Sequence, residues 1–401
     1  MKKIYYGRAV YDKKEINAVL NVLKNDSLSL IDGKKVKTLE KKISQIFGKK
    51  YGLMVNSGSS ANLLALSSFK FKKGSEIITP NLTFSTTVAP IYQLGLIPHF
   101  VGAEENKFLT DTNQIEKCIN SKTVALMIPN LLGNIAEWKK IYKIAKKYNL
   151  KIIEDSADTI GYTVNKKNLG AYSDITTNSF YASHIINGAG TGGIVCFNDY
   201  KLYERAKLLR GWGRSSAVFN ESENATKRFN IKVSGIDYDA KYIFSDLGYN
   251  FLPSEISAAF ALEQIKKLKK NISTRNKNFD YLKKFFANYR NYFKLPEQNP
   301  GVKTPWLAFP LVIKKNNKFN RRQLQIFFEK NKIQTRTIFT GNILRQPIMT
   351  NLKYKKHNKS HLISDDVMEN GVLIGCHQGL KNQDLINIKK IFQKFVKLKN
   401  L

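Results

Sequence analysis

The chain is predicted to adopt an α/β fold, with a large domain on a mixed, mostly parallel sheet and a smaller α+β domain at the C-terminus. Three observations carry this expectation. Short apolar runs alternate with amphipathic helical patterns through the first half, as strands covered by helices on both faces do. A helix-rich stretch, ISAAFALEQIKKLKKNISTRNKNFDYLKKFFANYR, then leads away from them. The chain of 401 residues also exceeds what one core of roughly 250–300 residues accommodates.

Taken in order, YGLMVNS is a strand running into SGSSANLLALSSF, a small-residue turn and an apolar helix. SEIITPNLTFST, LIPHFVG, VALMIPN and KIIEDSA are further short β-rich runs, with the helical patterns NLTFSTTVAPIYQLG and AEWKKIYKIAKKYN between them. DITTNSFYAS and GGIVCFND are two more strands flanking a glycine-rich bend. From about Leu295 the pattern alternates strand TPWLAFPLVI, helix NRRQLQIFFEKN and strand KIQTRTIF. Residues 1–265 are assigned to an N-terminal segment plus the large domain, and 266–401 to the helical connection plus the small one.

Composition excludes several classes. With 42% apolar and 11% aromatic residues the chain packs a core, unlike a disordered segment. No run approaches the ~18 apolar residues of a membrane span, and the basic N-terminus is not followed by an apolar stretch, so a cytoplasmic location is expected. The net charge of +35 comes from lysines scattered over nearly every element. Nucleic-acid binders concentrate charge on one face and add a recognisable module. A solvated basic surface is therefore expected, without nucleic acid or membrane partners, and able to attract an anionic substrate. Cys118, Cys196 and Cys376 follow no paired spacing, which argues for buried thiols rather than disulfides, a metal site or an iron–sulfur cluster.

Three segments carry candidate chemistry. Gly58, Ser59 and Ser60 sit where a strand gives way to a helix, a place where backbone amides and the helix dipole favour an anion. An unliganded helix cap would use the same residues. Asp155 ends an apolar strand, and the carboxyl ends of parallel strands form the ligand crevice. It would serve equally as an N-cap. His184 lies in SFYASHIINGAGTGG between Ser179 and a Gly-Gly pair. A histidine beside isoleucines is commonly a packing residue.

Read together and in order, SGSSAN, NLTFSTT, EDSADTIG, SFYASHIINGAGTGG and GYNFLPSEISAAFALEQ resemble the DegT/DnrJ/EryC1/StrS sugar aminotransferases over nearly the whole chain. That resemblance implies the pyridoxal phosphate (PLP) fold type I, the aspartate-aminotransferase type. It also implies a role for each matching residue. Gly58, Ser59, Ser60 and the Ser179 hydroxyl would hold the cofactor phosphate, and Phe84 would stack on its ring. Asp155 would pair with the pyridine nitrogen, and Asp158 would approach the ring hydroxyl. Asn250 would reach the phosphate of the neighbouring subunit, which implies a homodimer with shared sites.

One position departs from the family pattern. His184 stands where the family has its catalytic lysine, and an imidazole forms no Schiff base. That substitution resembles the 3-dehydratase subgroup acting on GDP-4-keto-6-deoxy-D-mannose, as do Arg210-Gly211-Trp212-Gly213-Arg214 and GNILRQP. The CDP-sugar relative carries a cysteine-ligated iron–sulfur cluster after the RxWGR segment, where this chain has no cysteine. The resemblance thus implies a non-covalent PLP/PMP cofactor without an iron–sulfur cluster, glutamate as amino donor, and His184 as the proton carrier. Arg210, Arg214, Lys227 and Arg228 are candidate diphosphate partners. A conventional aminotransferase, a non-catalytic cofactor-binding relative and a basic regulatory protein are the competing readings.

Overall fold

The computed structural model describes residues 2–25, 30–164, 167–218, 224–302 and 304–401. Its centre is an eight-stranded sheet in the order Tyr51–Val55, Gly193–Phe197, Ile175–Ser179, Lys151–Asp155, Thr123–Pro129, Glu76–Pro80, Ile97–Val101 and Lys355–Lys356. Only Gly193–Phe197 runs antiparallel to its neighbours; the other pairings are parallel. The expected sheet is therefore found, mixed and mostly parallel.

Both faces of the sheet are buried, which explains why its strands are apolar runs rather than alternations. Along Tyr51–Val55, Leu53 and Val55 enter one core while Met54 enters the other. Ile77 and Ile78, Met127 and Leu126, Ile153 and Ile152 divide in the same way. Period-two geometry alone produces this division. Helices Lys34–Ile46 and Trp138–Lys147 contribute Val36, Leu39, Ile43 and Ile141 to one face, and Gly58–Ser67 contributes Leu64 and Leu66 to the other.

A second core belongs to the C-terminal part. Strands Phe293–Lys294, Phe309–Ile313 and Gly371–Ile374 form an antiparallel sheet. Helices Leu268–Phe286, Arg321–Lys330 and Asn382–Lys399 cover it with Phe279, Phe286, Phe328 and Phe392. Backbone pairing joins this part to the rest. Lys355–Lys356 extends the large sheet, and Ile4 at the N-terminus bridges Ile333.

One expected element is corrected. KIQTRTIF forms no strand; it makes only the isolated bridges Ile4–Ile333 and Arg336–Leu373. Gly371–Ile374 pairs along one edge with Phe309–Ile313, and on its other edge only Arg336 exchanges backbone hydrogen bonds, with Leu373, so the pairing stops at a single bridge. All three cysteines are buried and unpaired. Among the described residues no helix is long and apolar enough to cross a membrane.

Candidate active site

Parallel strands bring their C-terminal ends to one edge of the sheet, and the candidate residues are gathered there. Ser57 follows the first strand, Phe84 the strand Glu76–Pro80, Asp155 ends its own strand, and Ser179 ends Ile175–Ser179. The antiparallel strand begins at this edge too, with Gly193 opposite both Val55 and Ser179.

Two glycines permit the convergence. A Cβ on Gly58 would lie 2.5 Å from the Ser179 Cβ, and one on Gly193 would lie 2.5 Å from the Ser57 carbonyl carbon. The helix Gly58–Ser67 starts with Ser57 as its cap, the Ser57 Oγ accepting from the Ser60 N–H at 3.0 Å. Exposed Ser59 is left on the first turn, at the positive end of the helix dipole. The capping reading and the anion-site reading are thus compatible, and Ser179 lies against the same turn.

Asp155 is buried at 6% exposure. Its Oδ2 accepts from Asn62 Nδ2 and Thr87 Oγ1, both at 2.8 Å, while Oδ1 accepts from the Ala157 N–H at 3.1 Å. Asn62 is itself oriented by Thr177, whose hydroxyl donates to its Oδ1 at 2.6 Å. Burial raises the Asp155 pKa, opposed by these three donors. Phe84 lies at the edge of this floor. It is 49% exposed although its neighbours Leu82 and Thr83 are buried, and it meets Phe339 edge-on with ring centroids 6.0 Å apart. An open aromatic face beside a buried, hydrogen-bonded carboxylate and a helix N-terminus fits a cationic ring carrying a phosphate.

His184 completes the cluster. Its Nδ1 lies 3.3 Å from the Ser179 carbonyl oxygen. A carbonyl only accepts, so Nδ1 carries the proton and Nε2 keeps its lone pair. Burial pulls the imidazole down to about 4; the Ser179 carbonyl opposes this and the Arg275 charge adds to it. Nε2 is 3.8 Å from Asp158 Oδ1, and Asp158 Oδ2 accepts from the Leu132 N–H at 2.8 Å. Asp158 is pushed up to about 7, first by burial and then by the nearby Asp155 charge. Between about pH 4 and 7 the pair is therefore neutral against neutral, not an ion pair.

The arginines fare differently. Arg210 is buried at 3% exposure, and its guanidinium donates to Asp32, Glu40 and the Met54 carbonyl. This corrects the expectation of a diphosphate contact there, since the buried guanidinium is already held by these three acceptors. Arg214 lies 4.3 Å over the Trp212 ring, flanked by Tyr242 and Phe244. Arg228 pairs with Asp239. The side chain of Lys227 lies outside the described residues. Asn250 is exposed, its backbone bridged to Gly211. The cluster of Asp155, Asp158 and His184 is assembled without the arginines named in the sequence; Asn62 and Thr87, which close the SGSSAN and NLTFSTT segments without a role assigned to them there, belong to it, as does Arg275, which lies in no motif.

The model of the DegT/DnrJ/EryC1/StrS aminotransferase family matches residues 10–393. The chain belongs to that family. Lipopolysaccharide biosynthesis protein RfbH of Salmonella typhimurium is 35% identical over 367 residues, covering 89% of this chain and 84% of that protein. GDP-4-keto-6-deoxy-D-mannose 3-dehydratase of Yersinia pseudotuberculosis is 31% identical over 396 residues, covering 96% and 97%. Among solved structures, E. coli GDP-4-keto-6-deoxy-D-mannose-3-dehydratase with bound hydrated PLP matches with a TM-score of 0.87 at 28% identity, covering 98% of this chain and 99% of that one. The fold is PLP fold type I, and this DegT/DnrJ/EryC1/StrS member is a PLP-dependent, sugar-modifying enzyme.

Proposed function

We propose that the chain is a 3-dehydratase removing the C3 hydroxyl of a nucleotide-linked 4-keto-6-deoxy sugar, GDP-4-keto-6-deoxy-D-mannose, in deoxysugar synthesis for a surface polysaccharide. The observation that carries the reading is His184: an imidazole with a fixed tautomer stands where amine transfer needs a lysine. The segment from Ser179 to Gly193 contains no lysine at all.

Bound in its amine form, PMP, the cofactor supplies an amine for the sugar carbonyl and an electron-accepting ring, and glutamate restores that form. The remaining work belongs to the chain. Asp155, held by Asn62 and Thr87, would pair with the ring nitrogen and keep it charged. Phe84 would cover the ring face, and Gly58, Ser59, Ser60 and Ser179 would hold the phosphate. His184 Nε2, a lone-pair base at neutral pH, would carry a proton from the cofactor carbon beside the ring to the C3 hydroxyl, which would leave as water. Asp158, 3.8 Å from Nε2, would approach the ring hydroxyl.

A two-fold dimer with shared sites accompanies this reading, Asn250 reaching the partner's cofactor phosphate. Trp212, Phe244 and Leu247, at 38%, 56% and 92% exposure, surround Asn250 in the chain and supply apolar surface for such a contact. Arg214 and Arg228, in the same region, remain the proposed diphosphate contacts, together with Lys227.

The test is incubation with PMP, glutamate and GDP-4-keto-6-deoxy-D-mannose. The expected products are a 3-deoxy-4-keto sugar and ammonia, identified by mass spectrometry; a 4-amino sugar in their place overturns the assignment.

A further inference from the structure

Arg275 is a buried cation that the chemistry above does not use. It sits on helix Leu268–Phe286 with 0% exposure, in phase with Phe279, Leu282 and Phe286 on the face that enters the second core. Among the described residues no carboxylate forms a salt bridge with it. Burying a charge without a counter-ion is unfavourable, so a position that needed only packing would hold leucine or methionine.

Its donors go to five acceptors. Nε donates to Gln378 Oε1 at 2.6 Å, and Nη1 to the Trp306 and Leu307 carbonyls at 3.1 and 3.0 Å. Nη2 donates to the carbonyls of Ser183 and His184 at 3.3 and 3.4 Å. The backbone of the proposed proton carrier thus hangs on this guanidinium. The second branch leads to the other member of the pair. Leu307 N–H donates to the Leu132 carbonyl at 2.8 Å, and Leu132 N–H donates to Asp158 Oδ2 at 2.8 Å.

We propose that Arg275 is a positioning residue: by binding the His184 and Leu307 carbonyls at once, it sets the distance between the His184 imidazole and the Asp158 carboxyl. The inference rests on His184 being the proton carrier, but the hub itself is a property of the fold. Its charge acts in the same direction. The groups facing His184 are the Ser179 carbonyl, the Asp158 carboxyl, the Tyr181 ring, set edge-to-face with centroids 5.8 Å apart, and, behind its backbone, Arg275. The Tyr6 hydroxyl, kept unionised first by burial, interacts with both Asp158 and Arg275. Arg275 is the cation in this set and opposes imidazolium formation.

Two variants separate geometry from charge, because Arg275→Lys keeps the cation and loses the fork, whereas Arg275→Gln loses both. The first readout needs no activity: a pH titration of the histidine Cε1–H signals in the full chain, with His184 assigned through His184→Asn. In Arg275→Gln the His184 midpoint is expected to rise by about one unit, and in Arg275→Lys to stay near wild type. The second readout is kinetic. In both variants kcat is expected to fall at least ~10-fold while KM for the nucleotide sugar changes less than ~3-fold, the pattern of misplacement without lost binding.

If Arg275→Gln does not fold, Arg275→Lys still decides through the split between kcat and KM. Wild-type kcat and an unmoved His184 titration, even with lowered thermal stability, would overturn the proposal. Should His184→Asn itself retain dehydration, the proposed function fails, and the titration still reports on Arg275.

Discussion

Asp158 and His184 face each other at 3.8 Å with their proton affinities displaced in opposite directions, the carboxyl up to about 7 and the imidazole down to about 4. A carboxyl that titrates near 7 beside an open imidazole nitrogen couples the site to neutral pH. In the free enzyme, kcat/KM is expected to show a titration near pH 7 that belongs to Asp158. Asp158→Asn is a permanently neutral isostere, so this limb vanishes while activity at pH 5 is retained within ~10-fold. A pH–rate series from 5 to 9 checks it; persistence of the limb in the variant assigns it to another group.

The same pair bears on acid stability. The folded-state pKa of His184 is depressed, so the unfolded chain takes up the proton first as pH falls. Wild type therefore loses stability between about pH 6.5 and 4, by up to about 3 kcal/mol from this one group. His184→Asn lacks the proton uptake. The stability difference between variant and wild type should shift toward the variant across that window and be flat above pH 7.5, as urea titrations at several pH values would measure. A constant offset at all pH values contradicts the assignment.

Replacing the imidazole by an amine tests the departure from the family pattern directly. His184→Lys is expected to form a borohydride-reducible bond to added PLP, seen as a new absorbance band, and to gain amine transfer at the expense of dehydration. His184→Asn should keep cofactor binding and lose ~10²–10⁴-fold in dehydration. An unchanged PLP spectrum in the lysine variant would sink the assigned position.

Much of this site was legible because parallel strands end together: motifs far apart in the chain, from Gly58 to Ser179, converge once the sheet order is known. Their order along the chain carried more information than any one of them. Arg275 was hidden for a physical reason, being one basic residue on a helix rich in lysine, in a chain with 66 Lys and Arg. Its signal was phase: spacing of four, seven and eleven residues to Phe279, Leu282 and Phe286 puts it on the apolar stripe. Arg210 misled in the opposite sense. It belongs to a matching motif, yet its partners Asp32 and Glu40 lie over 150 residues away, and no local pattern announces such a pair. KIQTRTIF failed as a strand because β-rich composition does not by itself secure a continuous register: beside Gly371–Ile374 only Arg336 pairs, with Leu373.

Close approach at the strand ends is testable by repacking. Gly58→Ala places a methyl 2.5 Å from the Ser179 Cβ, which should cost about 1–3 kcal/mol. Ser179→Gly removes the obstructing carbon. The double variant should recover at least half of that loss in thermal or urea unfolding, giving a coupling above about 0.5 kcal/mol. Additive losses would mean that the two segments do not press on one another.

The final expectation concerns the partner subunit. If Asn250 completes the site of a second copy, then His184→Asn and Asn250→Ala damage different halves of one composite site. Each variant alone is impaired at every site. Refolded together in equal amounts, half of the dimers carry one chain of each kind, and each such dimer contains one doubly damaged and one intact site. Activity should return to about one quarter of wild type. Recovery follows only if the imidazole and the amide come from different chains. Mixtures that give no more than the mean of the two parents would place Asn250 in its own chain's site or outside the site altogether, and the exposed Trp212, Phe244 and Leu247 surface would then need another explanation.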